Sequence, residues 1–454
     1  MMEVRLDQIR SAMEGAIPGV LATCSPEGEP NVAFLSQVHY VDENHIALSY
    51  QFFNKTRRNI LANPHGQLTI ACPFSARIYR LTLRYVQTQS NGALYERMKA
   101  HLEGIASHTG MSGVFRLLGS DIYEVTQLEA LPGNTLPSTP KDRNRLNALR
   151  RASESISYCS DMGSLVDEAL DAMQREFGVP HAMFLVVDEG RHRLYTLGSR
   201  GYSHSGIGSE IHMGDGLIGV CAQAGTPIRI SWMTQAYRYS KCIRDYVLLS
   251  GSGEKLSTEI PYPGLNAPHS QLAVPLICGG QILGVLLAES NDDLCFTYDD
   301  EDALFSLAGQ VAACLANLRD GNDPEHESED IPRFFTQQEV AQTPMRVRYF
   351  RETHSIFFED AYIIKGVAGA ILWSMLLDYC RLQRTTFSNR ELRMDPRINL
   401  PDIVANLEAR LILLRKRLDD QDMGVELHKC GRGKLTLKVN KQLNLEEFEA
   451  GRML

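Results

Sequence analysis

The sequence predicts a multidomain α+β chain of three folded units, and three observations carry that reading. Strand-like alternation and helix-like periodicity trade places along the 454 residues, as they do when compact mixed domains follow one another. Two stretches, GNTLPSTPKDRN from Gly133 and RDGNDPEHESEDIP from Arg319, break the apolar patterning with turn-forming or acidic residues. The charge balance also reverses. Residues 331–454 carry 20 Lys and Arg against 16 Asp and Glu, or +4, leaving 26 basic and 39 acidic residues, or −13, before them.

Length alone allows about three ordinary domains, each able to bury a core. Apolar content of 44 % and charged content of 22 % exclude a disordered or fibrous chain. The opening MMEVRLDQIRSAMEG lacks the apolar centre of a signal peptide. The longest apolar run, Gly366 to Leu377, is broken by Ser374 and falls short of the roughly 20 residues a membrane span needs. A cytoplasmic location is expected. The 10 cysteines include no C-x-x-C pair, so no zinc ribbon or dithiol motif is readable and no metal is expected.

In the first unit, residues 31–64 (NVAFLSQVHYVDENHIALSYQFFNKTRRNILANP) read as two strands and a helix start. Val32, Phe34 and Gln37–Val38 form one run, Val41–Asn44 a turn, and Ile46–Tyr50 a second run. The helix opens in Asn54-Lys55-Thr56-Arg57-Arg58-Asn59 and is stopped by Asn63-Pro64. A lysine and a threonine at such a turn suit an anion, because ammonium, hydroxyl and backbone N–H groups converge there. Ser25-Pro26-Glu27-Gly28 reads as a hairpin turn, and Asp121-Ile-Tyr-Glu-Val as the last strand before Pro132-Gly133. His101 and His108, seven apart without further ligands, read as surface residues.

This order of parts resembles the flavin-binding split β-barrel of the pyridoxamine phosphate oxidase family, here residues 1–133. The resemblance implies FMN, with Asn31, Ser36, Ser49, Asn54, Lys55 and Thr56 as the cofactor-binding residues. The family's arginine at the start of the flavin strand is Asn31 here, and its substrate-phosphate arginine and histidine have no counterpart. Flavin binding is therefore implied, and oxidase activity is not. The plainer alternative is a flavin-free barrel in which Lys55 is a solvated cap.

The second unit, residues 142–320, begins with a helix bearing Ile156, Met162, Leu165, Val166, Leu170, Met173 and Phe177. Strands Ala182–Asp188 and Leu194–Leu197 follow, then GDGLIGVCAQAGTPI from Gly214 and the hairpin AVPLICGGQILGVLLAES from Ala273. An apolar helix runs on to Leu318. These pieces are similar to a GAF domain along its length, an α/β sandwich that holds a small ligand or a dimer contact. The segment from Ser231 to His269 lies where such domains have their lid. It supplies Trp232, Tyr237, Tyr239, Cys242 and Tyr246 as candidate pocket residues, unless it is an ordinary loop. Members that bind cyclic nucleotides have an Asn-Lys pair before Phe-x-x-x-Asp-Glu. Here Asn291 and Phe296…Asp300-Glu301 are in place, but Asp292 replaces the lysine, which counts against a cyclic nucleotide. Cys221, Cys242 and Cys278 would hold an iron–sulfur cluster only if they gathered; three buried thiols are the simpler reading.

Residues 321–340 read as an acidic linker. In the third unit, 341–454, a first helix carries Val367, Ile371, Met375, Leu376 and Tyr379, and a short helix follows the cap at Ser388. A third helix starts near Pro401 with the stripe Ile403, Leu407, Leu411, Leu414, Leu418, and a hairpin turns at Gly431-Arg432-Gly433. This is similar to the winged helix-turn-helix output domains of response regulators, whose signature is echoed by Leu414-Arg-Lys-Arg-Leu and Gly431-Arg-Gly-Lys-Leu, without the usual aromatic after the second glycine. If the stripe is buried, Asn406, Arg410, Leu413 and Arg417 point the other way, and Asn and Arg read base edges in the major groove. Lys416, Lys429, Arg432 and Lys434 would neutralise phosphates. The whole reads as a homodimeric, ligand- or redox-responsive transcription regulator. An FMN-dependent oxidoreductase with regulatory appendages and a pair of empty dimerisation scaffolds are the alternatives.

Overall fold

The computed structural model describes residues 4–13, 15–35, 38–50, 55–108, 117–136, 144–188, 192–231, 260, 262–320, 344–398, 407–431 and 433–448. The N-terminal unit opens with a 3-10 turn, Leu6–Met13, whose Leu6, Ile9, Ala12 and Met13 are buried. Strands β1 (Gly19–Cys24) and β2 (Pro30–Leu35) form the expected hairpin, with the Gly28 amide donating to the Ser25 carbonyl at 3.0 Å. Gly28 takes φ 88°, a conformation that favours glycine. Then come β3 (His39–Tyr40), β4 (His45–Tyr50), α1 (Lys55–Ala62), β5 (His65–Ala71), β6 (Ile78–Gln89), α2 (Ala93–His108) and β7 (Gly119–Ala130). The strands form one sheet, β2-β1-β5-β6-β7-β4-β3, over a core that includes Leu21, Ile46, Leu68, Leu81 and Leu83.

The middle unit starts with two helices rather than one. Helices α3 (Arg145–Ser157) and α4 (Met162–Arg175) are separated because Asp161 turns its carboxylate onto the Gly163 and Ser164 amides and caps a new helix. An antiparallel sheet in the order β10-β9-β8-β13-β12-β11 follows. It is built from β8 (His181–Asp188), β9 (Arg193–Arg200), β10 (Glu210–His212), β11 (Ile228–Ile230), β12 (Ser270–Cys278) and β13 (Gln281–Ser290). Helices α3, α4 and α6 (Tyr298–Asp320) share one apolar cluster with one side of the sheet. Helix α5 (Gly216–Ala224) shares another cluster with the opposite side. Cys278 belongs to the first cluster and Cys221 to the second, so these two thiols do not gather at one site.

The C-terminal unit contains strands that its sequence did not reveal. Strands β14 (Met345–Phe350), β15 (Ser355–Phe358) and β16 (Ala361–Ile364) form a sheet completed by the final strand β20 (Leu443–Phe448), which runs parallel to β14. Helix α7 (Gly366–Leu382) ends at Gln383, φ 54°. Strand β17 (Thr386–Ser388) leads into α8 (Asn389–Met394) through a capping box of Ser388 and Glu391. Helix α9 (Leu407–Gln421) and the hairpin β18 (Val425–Gly431) and β19 (Lys434–Val439) follow, with β17 pairing onto β19. The expected start of α9 near Pro401 lies outside the described residues.

The units pack on one another. Helix α2 lies against α5 and β11, and a Cβ on Gly104 would come within 2.9 Å of Ile228, so a larger residue would push the two units apart. Beside this seam Arg10 pairs with Asp302 at 2.9 Å, and the Arg10 and Arg229 guanidiniums lie 4.5 and 4.2 Å from the Tyr298 ring centre. A cavity of about 80 Å³ is lined by these groups with His39, Arg97 and His101. His101, expected on the surface, meets His39 edge-on at 5.8 Å. Burial first, then Arg97, holds the His39 pKa down at about 4. Burial, His39 and Arg229 hold that of His101 at about 3.

Unfolded histidine titrates near 6.5, so below that pH the unfolded chain takes up protons that the folded seam refuses. Stability supplied by the two neutral rings is full above pH 6.5 and is lost progressively as pH falls towards the folded values. Between pH 7 and pH 5 the wild-type melting temperature is therefore expected to fall further than that of His39→Gln/His101→Gln; equal falls would contradict this account.

Candidate functional site

Three places concentrate chemistry. The first is the corner where α1 leaves the N-terminal sheet. The Asn31 side-chain amide donates to the Thr56 hydroxyl at 2.8 Å, across 25 residues of sequence, which fixes the first turn of α1 against β2. Lys55 stands beside them and pairs with Glu29 at 3.0 Å in solvent. Exposed pairs of this kind contribute at most about 1 kcal/mol, so an incoming phosphate could displace Glu29 cheaply. Ser49 on β4 faces Ser120 on β7 in register, and the buried Ser120 hydroxyl has no partner among the described residues. Amide, hydroxyl, ammonium and helix start thus fit a phosphate-bearing group. Ser36 and Asn54 lie outside the described residues.

Sequence reasoning missed the next residue along. The Arg57 guanidinium is half-buried in an ion pair with Asp121, donates to Thr88 at 2.8 Å and lies 4.4 Å from the Tyr50 ring centre. The pair of arginines after Lys55 was visible, but the carboxylate that turns one of them inward is 64 residues away.

The second place is one end of the middle sheet. His181 on β8, Glu289 on β13 and Gln271 on β12 lie side by side in register on the α5 side. Glu289, 1 % exposed, accepts hydrogen bonds from the Tyr202 hydroxyl at 2.8 Å, Gln271 Nε2 at 2.5 Å and the Leu265 amide at 3.1 Å. Among the described residues, the buried His181 Nδ1 and Gln271 Oε1 have no hydrogen-bond partner. Buried polar atoms left unpaired are costly, so this cluster is a candidate contact for a ligand. The residues expected to line the pocket, Trp232, Tyr237, Tyr239, Cys242 and Tyr246, lie outside the described residues. The Asp300-Glu301 pair is committed elsewhere: Asp300 to Arg145, and Glu301 to Arg229 at 2.8 Å.

The third place is α9, where the structure corrects the orientation expected of its charged residues. Arg417 does not face outward. It is 8 % exposed and donates through Nε to the Ile363 carbonyl at 3.0 Å and through Nη2 to the Tyr362 carbonyl at 3.1 Å. Arg410 does leave its own unit's core, but it reaches the middle unit, pairing with Asp188 at 2.7 Å over the Tyr195 ring. Lys416 pairs with Asp167 of α4, also at 2.7 Å. Lys429 lies 3.7 Å from Glu408, and Lys434 is exposed on the hairpin. Asn406 and Arg432 lie outside the described residues.

Two family matches bear on these places. Residues 159–316 match the GAF domain family, and residues 6–113 match the pyridoxamine 5'-phosphate oxidase N-terminal family. The middle unit is a GAF domain. The N-terminal unit is a pyridoxamine phosphate oxidase-like domain. No curated protein matches the chain. Solved structures match single domains at low identity. The GAF domain of a phosphoenolpyruvate-protein phosphotransferase from Coxiella burnetii is 17 % identical, covering 39 % of this chain and 96 % of its own, with TM-score 0.30. An FMN-binding protein from Syntrophomonas wolfei is 18 % identical over 28 % of this chain and 86 % of its own, with TM-score 0.25. Free methionine-R-sulfoxide reductase from Neisseria meningitidis is 17 % identical over 39 % and 91 %, with TM-score 0.30. No helix among the described residues is long and apolar enough to cross a membrane.

Because Arg417 ties α9 to β16, Arg417→Ala is expected to destabilise the chain by about 2–4 kcal/mol through two orphaned carbonyls and lost charge-assisted bonds. Urea unfolding in the absence of any nucleic acid checks this. Unchanged stability would return Arg417 to the surface role its sequence position first suggested.

Proposed function

We propose that this chain is a cytoplasmic, homodimeric regulator that binds DNA through its C-terminal unit under control of the flavin-type domain and the GAF domain. The observation that carries this reading is the order of the C-terminal elements. A core helix (α7), a short strand (β17), a capped short helix (α8), a basic helix (α9) and a hairpin paired to that strand follow one another as in a winged helix-turn-helix. In this reading α9 is the recognition helix, with Asn406 and Arg410 as base-reading groups, while Lys429, Arg432 and Lys434 contact phosphates. Arg417 is given a structural role instead.

The flavin reading draws on the Asn31–Lys55–Thr56 corner, and one solved structure similar to this domain is an FMN-binding protein. When bound, FMN would supply redox chemistry, and Lys55, Thr56 and Asn31 would hold its phosphate. The competing oxidoreductase reading gains nothing from Arg57 and Asp121, which are closed into a pair with each other. For the homodimer, Val32 and Phe34 are 61 % and 80 % exposed on the edge strand β2, an apolar edge that a second copy would cover. The signal recognised by the GAF domain is proposed to be a small molecule contacting the Glu289–Gln271–His181 cluster.

Two outcomes are expected. Purified protein should carry a flavin absorption spectrum that bleaches with dithionite, and Lys55→Ala should weaken FMN binding by about 1–2 kcal/mol, a charge-assisted bond less the exposed pair it replaces. Colourless protein that leaves added FMN fluorescence unquenched would remove the flavin. In fluorescence-anisotropy titrations of the full chain on genomic fragments, Lys434→Ala should weaken binding to every sequence alike and reduce the log–log salt slope by about one. A chain that ignores DNA at low salt would remove the regulator reading.

A further inference from the structure

We infer that the GAF domain holds α9 in a position where it cannot enter DNA, so that the regulator is inhibited by its own sensor. This rests on the DNA-binding reading above and adds the device that governs it. The side of α9 that leaves the C-terminal core is covered by α4 and β9. Arg410 meets Asp188 at 2.7 Å, with its guanidinium 4.8 Å from the Tyr195 ring centre. Lys416 meets Asp167 at 2.7 Å, and Arg200 of β9 shares that carboxylate at 3.0 Å. One turn further on, the Ser205 hydroxyl donates to Asp420 at 2.9 Å.

Glycines make the approach possible. A Cβ on Gly208 would lie 3.5 Å from Leu413, one on Gly198 3.5 Å from the Lys416 ammonium, and one on Gly163 3.1 Å from the Arg415 guanidinium. Gly208 also takes φ 87°, which favours glycine. Outside the helix, Lys365 adds a fourth polar contact with Glu210 at 3.3 Å.

A recognition helix about 10–12 Å across fills a major groove about 12 Å wide, so the groove walls need the space that α4 and β9 occupy. The two partners are mutually exclusive. Asp167 and Asp188 present to Lys416 and Arg410 the same negative charge that DNA would present. If the closed arrangement outweighs the open one by about a hundredfold, apparent DNA affinity falls by about that factor. A signal that favours release of α4 and β9 would restore it, and bound DNA would in turn favour the released GAF domain.

The first variant leaves α9 unaltered. Asp167→Asn/Asp188→Asn in the full chain removes both carboxylates, and DNA affinity is read by anisotropy on the same genomic fragments. The variant is expected to bind about tenfold tighter than wild type or more. A second variant, Ser205→Cys/Asp420→Cys, places thiols where a 2.9 Å hydrogen bond now joins the two units. Its oxidised form is expected to lose DNA binding and its reduced form to regain it. If wild type binds DNA and the double-Asn variant binds no better, with the oxidised and reduced cysteine forms also alike, the latch falls while the DNA-binding reading stands. If no form binds DNA at low salt although all melt cooperatively, the DNA-binding reading falls and takes the latch with it.

Discussion

Helix α9 cannot be covered from one side. Leu411, Ile412, Leu413 and Leu414 are four consecutive buried residues, and four successive side chains on a 3.6-residue turn point in every direction. One part of the helix is covered within the C-terminal unit by α7, β16 and β18, and another by α4 and β9 of the GAF domain. A single apolar cluster accordingly runs from the GAF sheet into the C-terminal core. The charges that interrupt this surface must find partners or be costly to bury. Arg417 uses two carbonyls inside its own unit, while Arg410 and Lys416 use carboxylates across the seam.

The GAF domain therefore stands between the other two units. Its α5 side receives α2 of the flavin-type domain, with Ala100 joining that apolar cluster, and its α4–β9 side receives α9. The two seams differ in kind. The α2 seam is lined by arginines, neutral histidines and Tyr298 around a small cavity. The α9 seam pairs basic helix residues with acidic GAF residues. Strands β8 and β13 lie at the centre of the sheet that separates them, and the Glu289–Gln271–His181 cluster sits at the end of those strands. A ligand held there would touch the element that supports both seams.

What could be read in the sequence was what local chemistry specifies. The Ser25–Gly28 turn, the Ser388–Glu391 capping box and the hairpin that turns through Gly279 and Gly280 (φ 58° and 78°) fix their neighbours through residues a few positions apart. Long-range choices left no such mark. Strand β20 pairs in parallel with β14 from 98 residues away, Met345 to Leu443, and neither strand carries a turn signal that names the other. The apolar spacing of α3 and α4 continues through Tyr158–Asp161, and only the geometry of Asp161 divides them. Lys55 was legible as a cation at a helix start, whereas Glu29 beside it was not. For α9 the signal was present in the sequence itself. Treating Leu413 as part of an outward, base-reading face left a leucine in water, and the run Leu411–Leu414 already required a second cover.

The central claim is that DNA and the GAF domain compete for one face of α9. Hydrogen exchange of the full chain, with and without saturating DNA, tests it directly. On DNA binding, residues 162–175 and 193–200 should exchange faster as they lose their cover, while residues 407–421 stay protected in the groove. DNA that binds fully and leaves exchange in 162–175 and 193–200 unchanged would show that α9 never leaves the GAF domain, and would contradict the account.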